Sequence, residues 1–102
     1  MAKSKLKSQS LDDLFDAFKS IHTQKEWYQV FEDLCTVQEM RDLGLRFEVA
    51  KMLNKGQSYQ EIIDQTGASS TTISRVAKAL SYGQNGYQLL LKKDEWTTHF
   101  FI

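Results

Sequence analysis

Residues 56–80, GQSYQEIIDQTGASSTTISRVAKAL, read as two short helices joined by a tight turn, and the fold follows from this reading. Ser58 and Glu61 stand three residues apart. At that spacing a serine oxygen caps a helix while the glutamate reaches back to the cap's own N–H. Tyr59, Ile62 and Ile63 then supply an apolar face as far as Thr66. Gly67 follows, and without a Cβ it takes the positive φ that a sharp turn demands. A second helix is expected from Ser69 or Ser70, with Ile73, Val76, Ala77 and Leu80 inward and Thr71, Thr72, Ser74, Arg75 and Lys78 outward. Two residues sit awkwardly for such a pair: Ile63 stands where a small residue is common, and Thr66 where an apolar one is usual.

A helix-turn-helix braces its first helix against the phosphate backbone and lays the N-terminal residues of its second against base edges in the major groove. Close approach needs short polar side chains at the start of the second helix, and Ser69, Ser70, Thr71 and Thr72 meet that need. Their hydroxyls donate to or accept from bases and phosphates, and a threonine methyl can meet that of thymine. Arg75 and Lys78 lie further along, within reach of phosphate or a guanine edge. The same geometry also serves in protein contacts, so a protein-interaction module is the competing reading.

Charge supports the first reading. The 102 residues carry no net charge, but residues 8–50 hold four basic and nine acidic side chains, whereas residues 51–93 hold six basic ones against Glu61 and Asp64 alone. A local positive excess around the helix pair favours a polyanion.

Upstream, residues 1–9 are polar and basic and read as a flexible arm, either solvated or touching DNA. Ser10 and Asp13 mark a helix start, after which Leu11, Leu14, Phe15, Phe18 and Ile21 share one face. Thr23 with Glu26 and Thr36 with Glu39 repeat the capping pattern before two further helices. The first of these carries Trp27, Tyr28, Val30, Phe31 and Leu34. So much apolar surface exceeds what one small core needs, which points to packing against another chain. Gly44 leaves the third helix open to a break or to continuation as far as Asn54, Lys55 and Gly56. Downstream, residues 84–92 read as a loop and a short closing helix with Tyr87, Leu89, Leu90 and Leu91, and residues 93–102 as an apolar tail.

The run LGLRFEVAKMLNKGQSYQEIIDQTGASSTTISR at residues 43–75 resembles the Trp repressor superfamily, most closely its TrpR-related members of the YerC/YecD type. The likeness extends over residues 11–91 and implies an all-α, intertwined homodimer of six to seven helices per chain. Residues 10–55 would then be dimerisation helices, 56–82 the helix-turn-helix and 84–92 the closing helix. By the same resemblance Gln60, Ser70, Thr71, Thr72 and Ser74 match DNA-contacting positions. In Trp repressor two arginines hold the tryptophan corepressor, and Arg46 and Arg75 stand at the matching places. The glycine that follows the second arginine there is Val76 here. A β-branched side chain at that place fills part of the ligand slot, so no tryptophan response is expected and any other effector is unidentified.

Other classes find little support. Cys35 is the single cysteine, so no internal disulfide forms, and it reads as a small core residue in a reducing compartment. His22 and His99 have no metal-ligand spacing around them, and no glycine-rich phosphate loop occurs. Neither an enzyme nor a metal or cofactor is therefore expected. No apolar run is long enough to span a bilayer, which makes the expected location cytoplasmic.

Overall fold

The computed structural model describes residues 4–92 and is helical, without strands among the described residues. Six α-helices follow in order: α1 (Gln9–Ala17), α2 (Gln24–Leu34), α3 (Val37–Asn54), α4 (Tyr59–Thr66), α5 (Ser70–Tyr82) and α6 (Gly86–Leu91). A 3₁₀ turn, Phe18–Ser20, extends α1. The apolar tail expected at residues 93–102 lies outside the described residues.

The chain forms two compact units, Met1–Val37 and Gln38–Ile102. In the first, α1 starts two residues earlier than Ser10 implied. Ser8, in extended conformation, is the cap, and its Oγ accepts from the Leu11 N–H at 3.1 Å. The two serines offer the same chemistry, and the one whose backbone is extended takes the cap. α2 is capped as expected: Thr23 Oγ1 accepts from the Glu26 N–H at 3.1 Å, while Glu26 accepts from the N–H groups of His22 and Thr23 at 2.9 and 3.0 Å. Phe18 sits among three other rings, with centroids 5.4 Å from Trp27, 5.6 Å from Phe31 and 6.0 Å from Phe15. Yet no residue of α1, the 3₁₀ turn or α2 is buried, and Phe15, Trp27, Tyr28 and Leu34 are all exposed.

The second unit has a core. Val49, Ala50 and Met52 of α3, Ile62 of α4, Ala68 of the turn, and Ile73 and Val76 of α5 are buried together, with Leu45, Leu53, Ile63, Leu80 and Tyr87 packed around them. α3 runs unbroken through Gly44, a solvent-exposed position at which an added Cβ would meet nothing. Glycine costs a helix interior only about 1 kcal/mol, which the adjoining helical residues offset. Ile63, large where a small residue is common, is accommodated against the rim of this core. α6 is tied to α5 by Gln88, whose Nε2 donates to the otherwise orphaned Leu80 carbonyl at 2.7 Å. Gly83 ends α5 at a place where a Cβ would lie 2.4 Å from the Ala79 carbonyl oxygen, so only glycine fits.

Ile62→Ala is expected to lower the unfolding free energy in urea by about 2–5 kcal/mol, because its side chain has no solvent exposure and leaves a cavity. The left-handed turn is the second test, and Gly67→Ala should cost about 1–2 kcal/mol by the same measurement.

Candidate nucleic-acid interface

Three local devices aim the two central helices. Ser58 Oγ accepts from the Glu61 N–H at 3.2 Å and Glu61 accepts from the Ser58 N–H at 3.0 Å, so the first turn of α4 is fixed at both ends. The backbone bond from Ser58, and then the bond to its side chain, hold the Glu61 carboxyl below the usual range. At the other end, Gly67 takes φ 74° and donates its N–H to the Ile63 carbonyl at 2.9 Å. Thr66, the residue that looked misplaced for an apolar site, has a role here. Its hydroxyl donates to the Ile62 carbonyl at 2.7 Å and accepts from the Ala68 N–H at 3.1 Å, which lets Ala68 turn into the core. Ser69 then caps α5, accepting from the Thr72 N–H at 3.1 Å.

α5 is two-faced. Ile73 and Val76 are wholly interior, whereas Ser70, Thr71, Ser74, Arg75 and Lys78 are exposed. Ser74 and Arg75 stand three and four residues after Thr71, and Lys78 stands four and three after them, which aligns the four along one side of the helix. None of these five side chains makes a hydrogen bond or ion pair among the described residues. Ser69 and Thr72 differ: the Ser69 hydroxyl donates to Thr72 Oγ1 at 3.1 Å, so both belong to the cap, and Thr72 is half-buried. Gln60 is exposed on α4, where its Nε2 donates to Asp64 Oδ1 at 2.8 Å.

The electrostatics of the second unit follow from which charges are engaged. Glu48 pairs with Lys51 at 2.9 Å, Asp42 accepts from Gln38, Glu61 serves the cap and Asp64 holds Gln60. Arg41, Arg46, Lys55, Arg75, Lys78 and Lys92 enter no ion pair among the described residues. Among the described residues of this unit seven cations outnumber five acids and only Lys51 is ion-paired, a balance that favours an anionic partner. Arg46 is half-buried on α3 without the helical ion pairs to Asp42 or Glu48 that its neighbours offer. Val76 is 1% exposed, its side chain lodged in the core beneath Arg75's helix.

The sequence profile of the family described as Trp repressor protein matches residues 9–95. The chain belongs to the Trp repressor family. It is 43% identical over 93 residues to the uncharacterized protein YerC of Bacillus subtilis strain 168, covering 91% of this chain and 89% of that one. Two solved structures share the fold. A "putative Trp repressor" from Staphylococcus aureus superposes with a TM-score of 0.83 at 43% identity, covering 89% of this chain and 91% of the other. A TrpR-like protein from Eubacterium eligens ATCC 27750 gives 0.82 at 46% identity, covering 87% and 92%. The all-α fold read from residues 43–75 is therefore that of the Trp repressor family.

Asp64 and Thr66 were missed as contributors to this surface. Asp64 was legible, since glutamine followed four residues later by aspartate is a helical pair that also joins Gln9 to Asp13 and Gln38 to Asp42. Among the described residues no cluster of metal-ligating side chains occurs, and no helix is long and apolar enough to cross a membrane.

Because Glu61 is held below its usual pKa in the folded chain, its contribution to stability is complete above the ordinary carboxylate range and is lost as pH falls through the depressed value. Glu26 adds to the same trend, its carboxyl lowered chiefly by the His22 N–H and then by that of Thr23. Acid titration of the unfolding midpoint should accordingly show a shallower fall in Glu61→Gln than in the parent chain.

Proposed function

We propose that this chain is a sequence-specific DNA-binding transcriptional regulator, a repressor, that acts as a homodimer and does not use tryptophan as corepressor. The observation that carries the reading is the outer face of α5. Short hydroxyl side chains and two cations lie along it with no partner among the described residues. Ser70, Thr71, Ser74 and Arg75 would face base edges, Lys78 phosphate, and Gln60 the adjoining edge from α4. Ser69 and Thr72 hold the helix start from which the others read.

The first unit supports the dimer. Two helices that bury no residue of their own, and that leave Trp27, Tyr28 and Leu34 in solvent, lack the core that small units need for independent stability. A second copy of the same chain, contributing the same face, would cover them. The absence of a tryptophan response is supported by Val76, whose side chain occupies the interior where the relative in the family with a corepressor has a glycine. The chemistry named here is binding, and it needs neither a cofactor nor a metal. The competing reading, a protein-interaction module, draws on the exposed Tyr82, Leu89 and Leu90.

Selection from a library of randomised DNA duplexes separates the two readings. The regulator should recover a two-fold symmetric consensus, with affinity falling steeply as salt rises. Arg75→Ala should weaken binding about tenfold or more and relax the consensus at one position, whereas Lys78→Ala should weaken binding to every sequence and lower the salt slope by about one per chain. Added tryptophan should leave affinity unchanged. Recovery of no consensus, with no salt-sensitive binding, would instead favour the interaction module. The dimer has its own readout: sedimentation should give twice the chain mass, and the melting temperature should rise with protein concentration.

A further inference from the structure

We propose that Asp64 is a positioning residue for base recognition: it locks the Gln60 carboxamide in one orientation, so that α4 presents a carbonyl acceptor at a fixed place. This inference rests on the DNA-reading assignment above. The two side chains are exposed one turn apart, with Gln60 Nε2 donating to Asp64 Oδ1 at 2.8 Å. An ionised carboxylate only accepts hydrogen bonds. The amide nitrogen must therefore be the atom that faces Asp64, and Gln60 Oε1 is turned the opposite way. A glutamine without such a partner presents either end of its amide with little preference.

Charge gives an independent reason to assign Asp64 a role. It is the only acid between residues 62 and 82, and no cation pairs with it among the described residues. A surface that merely attracted phosphate would bind better without it. Glu61, its acidic neighbour, is accounted for by the cap on Ser58. What Asp64 and the oriented Gln60 share is acceptor character. In the major groove adenine N6 and cytosine N4 donate, whereas guanine N7 and O6 and thymine O4 accept. The pair therefore selects adenine or cytosine over guanine or thymine at one strand position of each half-site.

The same pair of residue types occurs on α1, as Gln9 and Asp13 at 2.8 Å, and on α3, as Gln38 and Asp42 at 2.9 Å. At those places it reinforces a helix surface. α4 is the helix that the turn at Gly67 joins to the reading helix, so base preference is the property to measure. Gln38 and Asp42 provide an internal control.

The test is selection from randomised DNA duplexes by the full chain and by Asp64→Asn, Asp64→Ala, Gln60→Ala and Asp42→Asn, each first shown to unfold cooperatively in urea. Both Asp64 variants should keep the rest of the consensus and lose discrimination at a single position by about tenfold, a typical value for one base contact. They should also bind unrelated duplex more tightly, since a repulsive charge is gone. Gln60→Ala should lose the same discrimination, with no further loss when Gln60→Ala and Asp64→Ala are combined. Asp42→Asn should leave base preference unchanged. Unaltered preference in both Asp64 variants would overturn the proposal, as would an equal loss in Asp42→Asn, which would assign the effect to helix stability. Failure of the parent chain to select any consensus would bring down the DNA-reading assignment itself, and this inference with it.

Discussion

The last residue of α4 and the three that follow it leave no freedom in how α5 departs from α4. Gly67 accepts the left-handed backbone, the Thr66 hydroxyl bridges the Ile62 carbonyl and the Ala68 N–H, Ala68 plugs the core, and Ser69 opens the next helix. Backbone groups at a helix junction are expensive to leave unpaired, and here the N–H groups of Gly67 and Ala68 find acceptors within the turn. The exposed face of α5 can be aimed only because the turn beneath it is fully determined. Ile62 on one side and Ile73 on the other then clamp the pair onto Val49, Ala50 and Met52.

The two units of the chain meet the cost of ordering differently. Residues of the second bury a shared set of apolar side chains, of which Val49, Met52, Ile62, Ile73 and Val76 contribute about 1.5–3 kcal/mol each when fully removed from water. The first relies on ring contacts around Phe18, individually worth about 0.5–1.5 kcal/mol, while leaving much of the same rings in solvent. Its helices are nonetheless well specified locally, by Ser8 and by the reciprocal Thr23 and Glu26 cap. Local specification and burial are thus separate properties in this unit, the first present and the second absent among its described residues.

Short-range rules made much of this visible in the sequence. The caps at Thr23 and Ser58 and the turn at Gly67 depend only on residues within three or four positions, and all three form as expected. The start of α1 was displaced because Ser8 and Ser10 are chemically alike and differ only in backbone conformation, which a sequence does not display. Continuity through Gly44 was undecidable from a propensity difference of about 1 kcal/mol. Thr66 looked anomalous because its hydroxyl bonds to its own backbone neighbours, an alternative to apolar burial that becomes evident once the turn exists. The outward set on α5 followed from helical periodicity, but that Ser69 and Thr72 are committed to each other did not.

The side chains that build this structure and those that face outward from it form separate sets. Ser58, Thr66, Gly67, Ser69, Ile73 and Val76 carry the caps, the turn and the core, while Ser70, Thr71, Ser74, Arg75 and Lys78 hold nothing together. Surface substitutions of the second kind usually change stability by less than about 0.5 kcal/mol. Mutation can therefore explore the outer face of α5 almost without penalty to the fold. Duplicated copies of such a gene are free to vary that face on an unchanged scaffold, and divergence along a lineage should concentrate at these five positions before it reaches the six that support them.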